Sequence, residues 1–371
     1  MTTTMTLTAD QLQLGDVVRR FLAEKAPIEL IRTWAESSDG FDADVWTQMA
    51  GQLGLQGLAI PEDFGGSGFG PVELGVVQEQ LGRALLPGPY FGTVVLAGQA
   101  LVASKDEAAM RRWLPGIADG TLTATVAVSE GRGPAITEMT TTAQRRGGGF
   151  ELTGHKTLVV DGDSAALLLI AAEGPAGPAL FAVDGDAEGV VRRRLDALDP
   201  TRRLGRVELT SAPGTQVGPT GEEFLRLVLA LATIALAAEQ VGGASACLDS
   251  SVSYAGSRVQ FGRPIGSFQA IKHKCADTMV AVEAARSASL HACAAAAGDD
   301  VGELLLAAAV AGSFCSAAYT VAAKDNIQIH GGIGFTWEHD AHLHLKRAKS
   351  GERLLGSPTH HRSRLADLVG I

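Results

Sequence analysis

The chain has 371 residues, of which 46% are hydrophobic and 19% charged, a balance that excludes global disorder and suits two or three packed units. Its 41 acidic residues outweigh 31 basic ones for a net charge of -10. No Lys/Arg-rich run interrupts that balance, so nucleic acid is not an expected partner.

The stretch Met1–Thr8 carries no basic residue and no apolar run, and it is not read as a secretory signal. From Thr8 to about Gly120 the patterns are helical. Thr8-Ala-Asp-Gln11 has the form of a capping box, and Leu12, Val17, Val18, Phe21 and Leu22 then recur on one face, with Pro27 just past the end. Further helices are expected over about 43–53, closed by Gly54, and over about 71–85, stopped by Pro87-Gly-Pro89. Between them runs the glycine-rich loop Gly57-Leu-Ala-Ile60-Pro61-Glu-Asp-Phe64-Gly65-Gly66-Ser-Gly68.

Composition changes at Thr121. Thr-Leu-Thr-Ala-Thr-Val-Ala-Val alternates with period two, as does Gly149-Phe-Glu-Leu-Thr. Ala165–Ala171 and Pro178–Val183 read as buried strands and Val207-Glu-Leu-Thr as an edge, with turn signals such as Arg146-Gly-Gly-Gly149, Asp161-Gly162 and Asp184-Gly185 between them. After about Gly221 the chain is helical again, in Ala-rich runs at 222–258, 269–297, 301–329 and near 340–355. Helices of that length on short loops pack as an antiparallel bundle. The expectation is an α+β chain with a helical domain at 1–120, a β domain at 121–213 and a helical bundle at 214–371. The most apolar stretch, Phe224–Ala238, is broken by Arg226 and ended by Glu239, and is read as too short for a membrane span. Cys247, Cys275, Cys293 and Cys315 are scattered and read as small buried residues in a reducing cytosol, which makes the chain cytoplasmic, with no metal site.

Two runs are not needed to build a helical core. They are Arg258-Val-Gln-Phe261-Gly262-Arg-Pro264-Ile-Gly266-Ser-Phe268-Gln269 and Gln328-Ile-His330-Gly331-Gly332-Ile-Gly334-Phe335. Together they resemble the carboxy-terminal domain of the acyl-CoA dehydrogenases, and the order helices, strands, helices resembles that family's three domains, the last a four-helix bundle. Gly54-Leu-Gln-Gly57 through Gly68, Val128-Ser129-Glu130 and Gly154-His-Lys156 resemble further family segments, so the likeness covers nearly the whole chain.

The resemblance implies FAD as cofactor and an acyl-CoA thioester as substrate. It places Arg258 at the FAD pyrophosphate of a neighbouring subunit with Phe261 beside it, where a guanidinium pairs well with phosphate oxygens. Gln328, Gly331 and Gly332 fall against the same neighbour's FAD, and Ser129 keeps a hydroxyl on the flavin-contacting strand. It further implies a homo- or hetero-oligomer built as a dimer of dimers, and an electron-transfer flavoprotein as electron acceptor.

The pattern also departs from the family. The family's Glu-Gly base position falls on Leu355-Gly356, with Glu352 a helical turn earlier, and the alternative base position falls on Ala232. The nearest carboxylate on that helix is Glu239, two turns further on, which is either a catalytic base or a buried ion pair with an Arg. The family's Trp-x-Thr beside the flavin ring is replaced by Leu158-Val159-Val160, and its Pro-Gly-x-Gly-Ser-Asp by Gly131-Arg-Gly-Pro134-Ala-Ile-Thr137. Three readings stay open: a dehydrogenase subunit with Glu239 as base, a non-catalytic partner that completes another subunit's FAD site, and a flavin monooxygenase on the same fold. The second belongs with α2β2-type family members that process steroid side-chain acyl-CoA thioesters in actinobacteria.

Overall fold

A computed structural model of the chain describes residues 6–131, 136 and 139–371. Most of the replaced segment Gly131–Thr137, and the first five residues of the amino-terminal stretch, lie outside the described residues.

The elements in chain order are α1 (Ala9–Lys25), α2 (Ile28–Glu36), α3 (Ala43–Gly51), α4 (Pro71–Ala84), α5 (Gln99–Ser104) and α6 (Glu107–Ala118). Strands follow as β1 (Ala124–Ala127), β2 (Thr142–Arg146), β3 (Gly149–Val160), β4 (Leu167–Gly174), β5 (Gly177–Asp184), β6 (Val190–Arg194) and β7 (Leu204–Val217). Then come α7 (Glu222–Ser257), the short β8 (Val259–Gln260) and β9 (Arg263–Pro264), α8 (Gln269–Ala296), α9 (Val301–His330), α10 (Ala341–Leu354) and α11 (Pro358–Val369). Thr8 caps α1 as its sequence suggests: its hydroxyl accepts from the Gln11 amide at 3.2 Å, and Gln11 returns a 2.9 Å bond to the Thr8 N–H. Among the features that escaped the pattern reading are α2 beyond Pro27, a π-helix at Phe91–Gly98 that is apolar on every side, the strands β2 and β6, and α11.

The chain divides into two compact units. One comprises 33–70 and 87–232 and holds a seven-stranded sheet in the order β1-β4-β2-β3-β7-β5, with β6 on β7. Because β4 also pairs antiparallel with β5, five of the strands form a closed ring, which leaves few free edges. The interior is filled by Leu152, Leu168, Ile170, Phe181 and Val207, with Phe150 edge-on to Phe181 at 5.0 Å.

The other unit comprises residues 1–32, 71–86 and 233–371. Its helices cross at glycines. A Cβ on Gly82 of α4 would lie 2.0 Å from the Glu239 carbonyl oxygen, and one on Gly242 of α7 would lie 1.8 Å from that of Glu79. Only hydrogen at these positions lets the two backbones come that close. The apolar runs here are longer than the reading of Phe224–Ala238 implied, since Arg226 sits near the start of α7 and pairs with Glu222 at 2.7 Å. Glu222–Ser257 and Val301–Phe335 are each long and apolar enough to cross a membrane, which corrects that reading. Inside the fold, 78% and 61% of their apolar windows are buried.

Candidate functional site

The helical unit presents the two glycine-containing motifs together. α7 ends at Ser257, and the Arg258 amide still bonds the Tyr254 carbonyl at 2.8 Å. The chain then folds into the β8–β9 hairpin, whose two turn residues Phe261 and Gly262 have φ of 51° and 78°. Two positive φ values are what a tight two-residue hairpin turn demands, and a phenylalanine accepts one only against its steric preference. Phe261 is 92% exposed, with its ring edge-on to Phe268 at 6.0 Å. Arg258 is exposed, and its carbonyl accepts the Ile265 amide at 2.8 Å, which closes the hairpin base.

α9 ends at His330, and Gly331 (φ 63°) turns the chain away while its amide bonds the Gln328 and Ile327 carbonyls. Nothing lies within 4 Å of where a Cβ would stand on Gly331, Gly332 or Gly262. The backbone is thus bare at these three positions, and Gln328 beside them is exposed. A feature missed at the level of motifs joins the two runs. Tyr254 of α7 stacks on His330 of α9 at 4.2 Å, and His330 meets His339 at 4.2 Å, with its Nδ1 on the Asn326 carbonyl at 2.8 Å. Tyr254 lies one helical turn before Arg258 and His330 sits inside Gln-x-His-Gly-Gly, so helical spacing was the available signal.

The two candidate carboxylates each meet a basic side chain. Glu239, 5% exposed, accepts a 3.0 Å bond from Arg347 Nη1, and Arg347 is 3% exposed. The geometry thus shows the ion pair with an Arg that was one of the two roles open to Glu239. Glu352 is held by Lys349 Nζ at 2.5 Å and by the Thr320 hydroxyl at 3.3 Å. Burial pushes its carboxyl up, but these bonds and the Lys349 charge outweigh it and hold it below the usual range. Leu355 is half-buried at the end of α10, and Ala232 is buried in α7.

In the β unit, β3 breaks register with β7 between Lys156 and Val159, and Leu158 adopts φ 55° there. Val159 and Val160 are buried, so the run offers no side-chain donor to a flavin ring. The Ser129 hydroxyl donates to the Gly131 carbonyl at 3.2 Å, and the Ser129 carbonyl accepts the Thr157 amide at 2.8 Å. Sequence reasoning also missed the ion pair beneath it. Lys156 is fully buried, with Nζ on Glu130 at 2.7 Å and on the Val128 carbonyl at 3.2 Å. Burial pushes Lys156 down to about 8, against the pull of Glu130, so it stays charged at neutral pH. Burial also raises the Glu130 carboxyl, but hydrogen bonds from Lys156, Thr140 and Thr141 prevail and hold it far below the carboxylate range.

As pH falls, the unfolded chain therefore takes up the Glu130 proton first. Glu130's contribution to stability is complete above about 4.5 and is lost progressively below it. Melting temperature should drop on acidification through that window, and Glu130→Gln should be both less stable at pH 7 and flatter in acid. An unchanged acid slope in Glu130→Gln would remove the pair from the account.

FAD can be tested against these groups. The motifs of the helical unit fit it: exposed Arg258 offers N–H donors to phosphate, exposed Phe261 an apolar ring, and Gly331-Gly332 bare backbone for close approach. Leu158–Val160 do not fit the ring end.

Residues 8–121 match the model of the acyl-CoA dehydrogenase N-terminal domain and residues 221–369 that of the acyl-CoA dehydrogenase C-terminal domain. The acyl-CoA dehydrogenase IpdE2 of Mycobacterium tuberculosis is 35% identical over 354 residues, covering 95% of both chains. Among solved structures, a variant of the steroid ACAD Tcur3481-Tcur3483 superposes with a TM-score of 0.91 at 33% identity, covering 98% of this chain and 99% of that one. The ChsE4-ChsE5 complex from Mycobacterium tuberculosis superposes with a TM-score of 0.91 at 30% identity, over 99% of each chain.

Proposed function

The chain belongs to the acyl-CoA dehydrogenase family, whose members are flavoproteins that dehydrogenate acyl-CoA thioesters, and we propose that within that activity it is the subunit that completes a partner's FAD site. The observation that carries this reading is an asymmetry. The groups that would face a neighbour's cofactor are exposed and conformationally prepared. The residues at its own base and ring positions are Leu355, Ala232 and Leu158–Val160, and Glu239 is tied to Arg347. The two solved relatives whose names pair two different chains support a heteromeric assembly, and the word steroid in one of them supports a steroid-derived acyl-CoA thioester as substrate.

In this reading Arg258 neutralises pyrophosphate oxygens in the partner's site, and Phe261 shields that contact from water. Gln328, Gly331 and Gly332 present an amide and open backbone to the same cofactor. Bound FAD supplies the hydride acceptor, with an electron-transfer flavoprotein receiving the electrons. The partner contributes the carboxylate that takes the α proton. The assembly is a dimer of dimers, located in the cytoplasm.

The test is the flavin-to-subunit ratio of the chain purified alone, read from flavin absorbance. Far less than one FAD per subunit is expected, rising when the chain is co-purified with a catalytic subunit and falling again with Arg258→Ala in that complex. One FAD per subunit in the isolated chain would overturn the proposal.

A further inference from the structure

A cavity of about 370 Å³ lies among α1, α4, α7, α9 and α10, wholly within the helical unit. That volume is in the range of small-molecule sites. Neither Glu239 nor Glu352 lines it.

Its wall is apolar on one side, lined by Leu22 of α1, Ala26 just past that helix and Ala84 of α4. The titratable groups around it are mostly basic: Arg19, Arg83, His339 and His344 line it, against Asp340 alone. Asp340 is already engaged by Arg32, through Nε at 2.9 Å and Nη2 at 2.5 Å. Arg83 uses Nη2 on Asp249 at 2.6 Å, and a guanidinium has five N–H donors, so others remain. His344 is the informative group. Burial and the charges of Arg347, Arg83 and His339 push it down to about 3, so the ring is neutral. Its Nδ1 lies 3.0 Å from the buried Tyr319 hydroxyl. With that hydroxyl donating, Nε2 carries the ring proton and is a donor with no protein acceptor among the described residues.

We infer that this cavity binds a small amphipathic carboxylate, its apolar body against Leu22, Ala26 and Ala84 and its head toward His344 Nε2 and the Arg83 guanidinium. A carboxylate supplies acceptors to His344 Nε2 and to the Arg83 N–H groups that Asp249 leaves over. A neutral ligand of the same shape gains only the apolar contact.

Calorimetric titration of the full chain with sodium hexanoate tests this, with hexan-1-ol as a probe that shares the tail but not the charge. Saturable hexanoate binding is expected, with hexanol about tenfold weaker or worse. His344→Phe keeps the ring volume and removes the donor, and it should weaken hexanoate about tenfold while leaving hexanol unchanged. Ala23→Trp, at an exposed position on the rim, should block both probes without entering the core. Absence of saturable hexanoate binding would overturn the inference, as would equal binding of the two probes. Hexanoate binding that survives Ala23→Trp would place it elsewhere on the chain and also overturn it.

Discussion

Replacing Arg347 with methionine will destabilise the helical unit by about 3–5 kcal/mol, one of the largest effects of any single substitution in this chain. Arg347 and Glu239 are both nearly inaccessible to water and are joined at 3.0 Å. The methionine fills much of the volume but withdraws the guanidinium, so the carboxylate faces low-dielectric surroundings without its counter-charge. Replacing both partners with apolar residues of similar size, Glu239→Leu with Arg347→Met, should return stability to within about 1–2 kcal/mol of the parent, because desolvation of the pair is then avoided as well. Chemical denaturation of the three chains measures this directly. A single substitution that costs as little as the double one would show that the pair is dispensable. The same series bears on chemistry. In an assembly that retains its fold, Glu239→Gln should leave substrate-dependent flavin bleaching at the parental rate, and loss of bleaching with unchanged stability would return Glu239 to the role of base.

Gly242→Ala will cost about 3 kcal/mol or more, although alanine is the better helix former. The new methyl would lie 1.8 Å from the Glu79 carbonyl oxygen, 2.7 Å from its carbon and 2.9 Å from the Arg83 nitrogen, all backbone atoms. Backbone cannot rotate out of the way as a side chain does, so α4 and α7 must separate. Glu79 also accepts from Arg286 at 3.0 Å, and that bond is strained by the same movement. Gly256→Ala, later in α7 with nothing within 4 Å of its Cβ, is the matched comparison and should stabilise by up to about 1 kcal/mol. Thermal melts of the two variants should move in opposite directions. A shift of the same sign in both would mean that the close crossing carries no weight.

The helices and strands were largely legible because their signals are local. The Thr8 capping box, the alternation in Gly149-Phe-Glu-Leu-Thr and the glycine after His330 each act within a few residues. The π-helix at Phe91–Gly98 escaped because a segment buried on all sides carries no period to read. The two glycine-containing turns were legible for a similar reason. Phe261-Gly262 and Gly331-Gly332 demand unusual φ values or bare backbone, and such demands leave their mark in the residue types themselves.

What the sequence alone determined is therefore the order of helical and β segments and the family likeness. It also left Glu239 with two roles, base or buried ion pair, and had no means of choosing between them. The ion pair needs Arg347, which lies 108 residues further along the chain and reaches Glu239 only once α7 and α10 have packed. The Lys156–Glu130 pair, the stack of Tyr254 on His330 and the cavity around His344 likewise arise from residues far apart in sequence. Protonation and catalysis depend on which charge or dipole stands within a few ångströms, and that distance is fixed by tertiary packing alone.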